Sequence, residues 1–149
     1  MEEEAGFTLI EVVCALAIIA LLAALVLPAI PRATSQARLA GYVVEVAALL
    51  KSDRNAAIRG HLAVATTLDA DRRTVRSGAG DHVVEIPADV TFAALLAQRC
   101  SNRRTSSTIE FFPSGASCGG AVALSRNGVG YQIRVNWLTG GVEIVAIKA

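Results

Sequence analysis

The chain is 149 residues long, 53% apolar, 18% charged and 5% aromatic, with a net charge of +1 and a mean hydropathy of +0.48. That composition excludes a disordered or nucleic-acid-binding tail, and a single soluble core does not account for it. No Lys or Arg precedes Arg32, and the acids there are Glu2, Glu3, Glu4 and Glu11, so the apolar excess sits at the N-terminus and the basic surplus follows it.

Residues 7–30 read FTLIEVVCALAIIALLAALVLPAI, in which Thr8 and Glu11 are the only polar side chains. A helix over this stretch would be roughly 36 Å long, enough to cross a hydrocarbon core of about 30 Å. A removable secretory signal would begin with positive charge and carry an apolar core of roughly 7 to 15 residues. Here the flank is acidic and residues 12–27 are unbroken. A carboxylate inside such a helix costs on the order of 3 kcal/mol, so Glu11 requires a neutralising partner. Pro28 and Pro31 interrupt the helical pattern and permit a kink.

Beyond Pro31, Leu39, Val43, Val46 and Leu50 recur at spacings of four, three and four, flanked by Tyr42 and Leu49, while Arg38, Glu45, Ser52 and Arg59 take the opposite side. The periodicity predicts an amphipathic helix to about Arg59, stopped by Gly60, with one face on a core. From residue 62 the pattern changes to short alternating runs: 62–68, 74–77, 82–86, 90–95, 108–112, 121–125, 129–135 and 142–147. Asn127-Gly128 and Thr139-Gly140-Gly141 read as hairpin turns. The expected architecture is α+β, a long helix on antiparallel strands, with residues 31–149 forming one domain of ordinary size.

A short polar leader ending in Gly6, then Phe7, Thr8, Leu9, Ile10, Glu11 and an apolar run, resembles the N-terminus of the type IV pilin and type II secretion pseudopilin superfamily. The resemblance implies a leader over residues 1–6, cleavage between Gly6 and Phe7 by a membrane aspartic prepilin peptidase, and N-methylation of Phe7. It implies that Glu11 pairs with the terminal amine of a neighbouring subunit, that residues 7–30 serve first as a membrane anchor and then as filament core, and that a proline at position 28 is a usual helix break. A free α-amino group is largely cationic at neutral pH and can compensate a buried carboxylate. The leader is acidic where the family usually carries Lys or Arg.

Thr108 to Gly115, then Gly119-Gly120, Asn127-Gly128, the run 131–137 and Thr139-Gly140, resemble the conserved core of the H-type minor pseudopilins (GspH) and their FimT relatives. This implies a pilin-like fold and a minor pseudopilin of the type II secretion system. It would lie in the bacterial inner membrane with its C-terminal domain in the periplasm, and enter the pseudopilus near its tip beside other minor pseudopilins and the major pseudopilin. The alternative is a FimT-like minor type IV pilin concerned with pilus assembly or DNA uptake. The work would come from a separate ATPase, and the chain has no Gly-rich phosphate loop with lysine. No cofactor, metal or enzymatic activity is expected, and nucleic acid is not the expected partner. Residues 63–106 carry no resemblance.

With Cys14 inside the apolar stretch, the implied periplasmic topology leaves Cys100 and Cys118 as the pair a disulfide would join, worth about 3 kcal/mol by loop closure. The alternative is two unpaired small apolar side chains. Neither His61 nor His82 has metal-ligand spacing to a cysteine. Gly115-Ala116-Ser117-Cys118-Gly119 matches a hydrolase nucleophile elbow, but a strand is expected after it where the elbow needs a helix, so a turn is expected. Arg72, Arg73 and Arg76, and Arg99, Arg103 and Arg104, form two basic clusters read as solvated loop charge, the alternative being contact with phosphate or an acidic partner.

Overall fold

The computed structural model describes residues 8–26 and 34–148, which fall into two units divided after residue 33. The leader, Gly6, Phe7, Pro28 and Pro31 lie outside the described residues.

In the first unit, helix α1 runs Leu9–Val26. Every side chain described on it is exposed, among them Leu9 at 86% and Ile10 at 71%. A helix that is apolar all round has no face to keep in water. Among the described residues no helix is long and apolar enough to cross a membrane. The 18 residues of α1 reach about 27 Å, slightly less than a hydrocarbon core, and both ends of the expected 7–30 span lie outside the described residues.

The second unit opens with α2, Gln36–Gly60, capped by Ser35, whose hydroxyl accepts from the Arg38 amide at 3.3 Å. Of the expected apolar face, Leu39, Val43, Val46, Leu49 and Leu50 are buried and Tyr42 is half-buried, and Ala47 and Ala57 join the buried side. Termination differs from expectation. Gly60 is still helical, and the left-handed cap is His61 at φ 51°, an uncommon conformation for a side chain with a Cβ.

Ten strands follow: β1 Val64–Asp69, β2 Thr74–Arg76, β3 Val83–Glu85, β4 Thr91–Leu96, β5 Arg99–Cys100, β6 Arg103–Arg104, β7 Thr108–Phe111, β8 Gly120–Arg126, β9 Val129–Val135 and β10 Val142–Lys148. They form two four-stranded antiparallel sheets, in the order β3-β2-β1-β7 and β10-β9-β8-β4, and a β5-β6 ribbon. The eight expected strand runs appear; the ribbon was not expected. Asn127 and Gly128 both take positive φ between β8 and β9, as a two-residue hairpin requires.

Both sheets supply the core on which α2 lies. Val75, Val84, Ile109 and Phe111 come from the first, and Val122, Leu124, Ile133 and Val135 from the second. Arg54 on α2 adds a polar tie to the opposite end of the domain, donating from Nε to the carbonyls of Gly115 at 3.1 Å and Thr139 at 3.0 Å.

One buried position on α2 carries charge. Asp53 is fully buried, and its carboxylate accepts from Thr66 Oγ1 at 2.6 Å, Ser77 Oγ at 2.5 Å, Gly78 N at 3.0 Å and Ala79 N at 3.4 Å. It joins α2 to β1 and to the β2–β3 loop. Gly78 fits because any Cβ there would run into the Ala65 carbonyl.

A second carboxylate fastens the start of this unit. Asp89 accepts from the Thr34 amide at 2.8 Å and the Thr34 hydroxyl at 2.9 Å, and pairs with Arg126 Nε at 3.1 Å. Arg126 also donates to the Thr34 carbonyl. The hydrogen bonds from Thr34, backbone then side chain, with the Arg126 charge, hold the Asp89 carboxyl below the usual carboxylate range. A depressed folded value gives stability that is fully present above the ordinary pKa of about 3.8 and is lost as pH falls through the folded value. In urea unfolding, Asp89→Asn should therefore be less stable than the parent at neutral pH, with the gap closing below about pH 4. A gap that widens on acidification would contradict this.

Candidate assembly site

The sequence singles out the start of α1. Glu11 occupies its first turn, and the carbonyl of Thr8 accepts from the amides of Glu11 at 3.0 Å and Val12 at 3.4 Å. Thr8 thus stands at the N-cap and Glu11 three residues on, the spacing of a capping box. A carboxylate there also meets the positive end of the helix dipole. Glu11 is exposed, as are its apolar neighbours Leu9, Ile10 and Val12, so the one acid on α1 is offered outward from an apolar cylinder. Gly6 and Phe7, expected to flank a cleavage, and Pro28, expected to break the helix, are not among the described residues.

The structure brings Cys100 and Cys118 together as a disulfide, their Cα atoms 5.6 Å apart across 18 positions, within the range disulfides span. The bond ties the β5-β6 ribbon to the segment entering β8. Glu110 Oε2 lies 3.3 Å from Cys100 Sγ. Cys100, Glu110 and Cys118 are, among the described residues, the one grouping in which three metal-ligating atoms lie within 4.8 Å of one another. Joined as a disulfide, the two cysteines offer no thiolate to a metal. By mass, the exposed free Cys14 should take one alkylation equivalent throughout and two more should appear only after reduction, and reduction should cost about 3 kcal/mol in urea unfolding. Alkylation of Cys100 and Cys118 in the unreduced chain would refute the bond.

Ser117, the centre of the elbow-like motif, is buried. Its hydroxyl donates to the Asn136 carbonyl at 3.0 Å and accepts from the Gly119 amide at 3.0 Å. The strand β8 follows it, as expected for a turn. His82 Nε2 lies instead 3.7 Å from Glu45.

The first basic cluster is not a single patch. Arg72 turns to Asp69 at 3.9 Å and Arg76 is exposed on β2. Arg73, at φ 55°, is partly buried and donates to the carbonyls of Ile86 at 3.2 Å, Pro87 at 2.8 Å and Val90. Its guanidinium holds the β3–β4 connection together, so it is structural and not solvated charge. The second cluster does stay together: Arg99, Arg103 and Arg104 are all exposed on the ribbon.

Residues 3–27 match a family model described as the prokaryotic N-terminal methylation motif. The chain is similar to the type II secretion system protein H of Xanthomonas campestris pv. campestris, 28% identical over 138 residues that cover 93% of this chain and 81% of that protein. In fold it is similar to the type IV minor pilin FimU of Pseudomonas aeruginosa, with a TM-score of 0.56 at 17% identity, covering 75% of this chain and 91% of that one. It is similar also to the minor pseudopilin EpsH of Vibrio cholerae, with a TM-score of 0.50 at 10% identity, covering 69% and 94%. The motif at the head of α1 accompanies a fold like that of a type IV minor pilin, a helix lying on antiparallel sheets. Over nearly its whole length the chain is similar to a type II secretion system protein H.

Proposed function

We propose that the chain is cut between Gly6 and Phe7 by a prepilin peptidase, methylated on Phe7, held in the inner membrane by residues 7–30, and then assembled near the tip of a type II secretion pseudopilus. There it would contact other minor pseudopilins and the major pseudopilin, with its C-terminal domain in the periplasm. The observation that carries this reading is α1: an apolar surface on every side with one carboxylate in the first turn. Such a helix is satisfied only by lipid or by other helices, and its acid only by a cationic partner. The role is mechanical and needs no catalytic group or cofactor.

The second reading is a FimT-like minor type IV pilin concerned with pilus assembly or DNA uptake, for which the fold likeness to a type IV minor pilin is the support. Deletion separates the two, since loss of exoprotein secretion with transformation intact supports the pseudopilus and the reverse pattern supports the pilus. Mass spectrometry of the mature N-terminus should find methyl-Phe7; an unmodified Met1 would remove both readings.

A further inference from the structure

The β5-β6 ribbon is built against its own electrostatics. Arg99 and Arg104 are direct cross-strand partners, as are Cys100 and Arg103. Like charges facing each other across a strand pair are destabilising, and a two-stranded ribbon is marginal even without them. The turn adds to the cost, since Ser101 at φ 44° and Asn102 at φ 66° both sit in a region that disfavours side chains with a Cβ.

Two devices nevertheless hold the tip in one shape. One is the disulfide from Cys100. The other is the base of the ribbon, where the Thr105 amide donates to the Gln98 carbonyl at 3.0 Å and the Thr105 hydroxyl to the Ala97 carbonyl at 2.8 Å. None of the ion pairs among the described residues involves the three arginines. At the base of the ribbon lies a depression of about 640 Å³ lined by Gln98, Arg99, Arg104, Thr105 and Ser106.

We infer that this ribbon is a docking tip for an acidic polypeptide segment of a partner protein, whose carboxylates take the place of the missing counter-charges. Guanidinium groups bind carboxylates bidentately, and polar side chains around the depression can complete the contact. The scale of the site favours polypeptide over nucleic acid. Proteins that hold duplex DNA typically neutralise roughly 6 to 10 phosphates along an extended track, whereas here three arginines are confined to arms of two residues. This rests on the assembly reading only where it takes the partner to be another filament subunit.

The test uses the full chain, oxidised and in detergent micelles, with a fluorescent hexaglutamate peptide followed by anisotropy at low ionic strength. Saturable binding is expected, weakened roughly tenfold in Arg103→Ser/Arg104→Ser and, from the other arm, reduced in Arg99→Ser. Arg72→Ser/Arg76→Ser should bind as the parent does, because those arginines lie off the ribbon. The proposal is overturned by absence of saturable binding, by equal losses in the two double variants, or by a 20-base-pair duplex binding more tightly than the peptide through Arg103 and Arg104. Peptide binding is read on the purified chain, so its failure leaves the assembly role of Glu11 standing, and failure of that role leaves the peptide result standing.

Discussion

Glu11→Gln should leave cleavage and methylation intact and lower incorporation into the pseudopilus on the order of a hundredfold, the loss expected when about 3 kcal/mol of buried charge pairing disappears. Exoprotein secretion should fall with it. Glutamine is the informative replacement because Glu11 has two competing explanations. It sits three residues after the N-cap Thr8, where glutamate and glutamine serve a capping box alike. If capping were its whole purpose, Glu11→Gln would assemble normally and only Glu11→Ala would fail. If it neutralises a terminal amine on a neighbour, the two variants fail together, because neither carries charge. Sheared filaments quantified by immunoblot, with the mass of the mature N-terminus as the processing control, distinguish these outcomes. Normal filament levels in Glu11→Gln would remove the pairing role.

Asp53→Ala should be the most destabilising single change to the second unit, by about 4 kcal/mol in urea unfolding. Each hydrogen bond to a charged acceptor is worth about 1.5–3 kcal/mol, and each buried donor left alone costs about 1–3 kcal/mol. Three donors lose their partner at once, the buried Thr66 hydroxyl, the half-buried Ser77 hydroxyl and the exposed Gly78 amide, while the Ala79 amide keeps Ser77 Oγ at 3.1 Å. Asp53→Asn keeps the shape and one acceptor oxygen but turns an amine toward donors, and should lie between Ala and the parent. Gly78→Ala should reproduce part of the loss from the other side of the contact, by forcing the loop away from Ala65. A change below 1 kcal/mol for Asp53→Ala, with an unaltered denaturant slope, would show that water takes over the carboxylate's bonds.

The contrast between Asp53 and the rest of α2 shows what the amino-acid order discloses. Leu39, Val43, Val46 and Leu50 were legible because burial repeats with the helical turn. Continuing the same spacing by three and four reaches Asp53 and Ala57, both buried. The signal for Asp53 was therefore present, as a charge on the apolar stripe, but the partners that make it tolerable come from β1 and from the β2–β3 loop. No local pattern contains them.

Strands with several alternating residues were legible for the same reason as the stripe. The β5-β6 ribbon was not: its arms are two residues each, too short to alternate, and it is shaped by a turn of two non-glycine residues at positive φ and by a bond to Cys118. The role of Arg73 has no local signal, because its three carbonyl partners lie across the β3–β4 connection. Of the site itself, the spacing from Gly6 to Glu11 was open to reading, as was the pairing of Cys100 with Cys118 once Cys14 was set apart.

The uniform exposure of α1 has a consequence for how a filament of such subunits is driven. Lipid tails are as apolar as leucine, so a helix leaving a bilayer for a bundle of its neighbours exchanges one oily surrounding for another and gains little from the hydrophobic effect. The transfer is close to balanced, and a modest external push decides its direction. A balanced transfer also runs backward, so subunits can return to the bilayer when the push stops. Under the proposed assembly role, the apolar helix would make the filament retractable and the single carboxylate at its head would fix where each subunit stops.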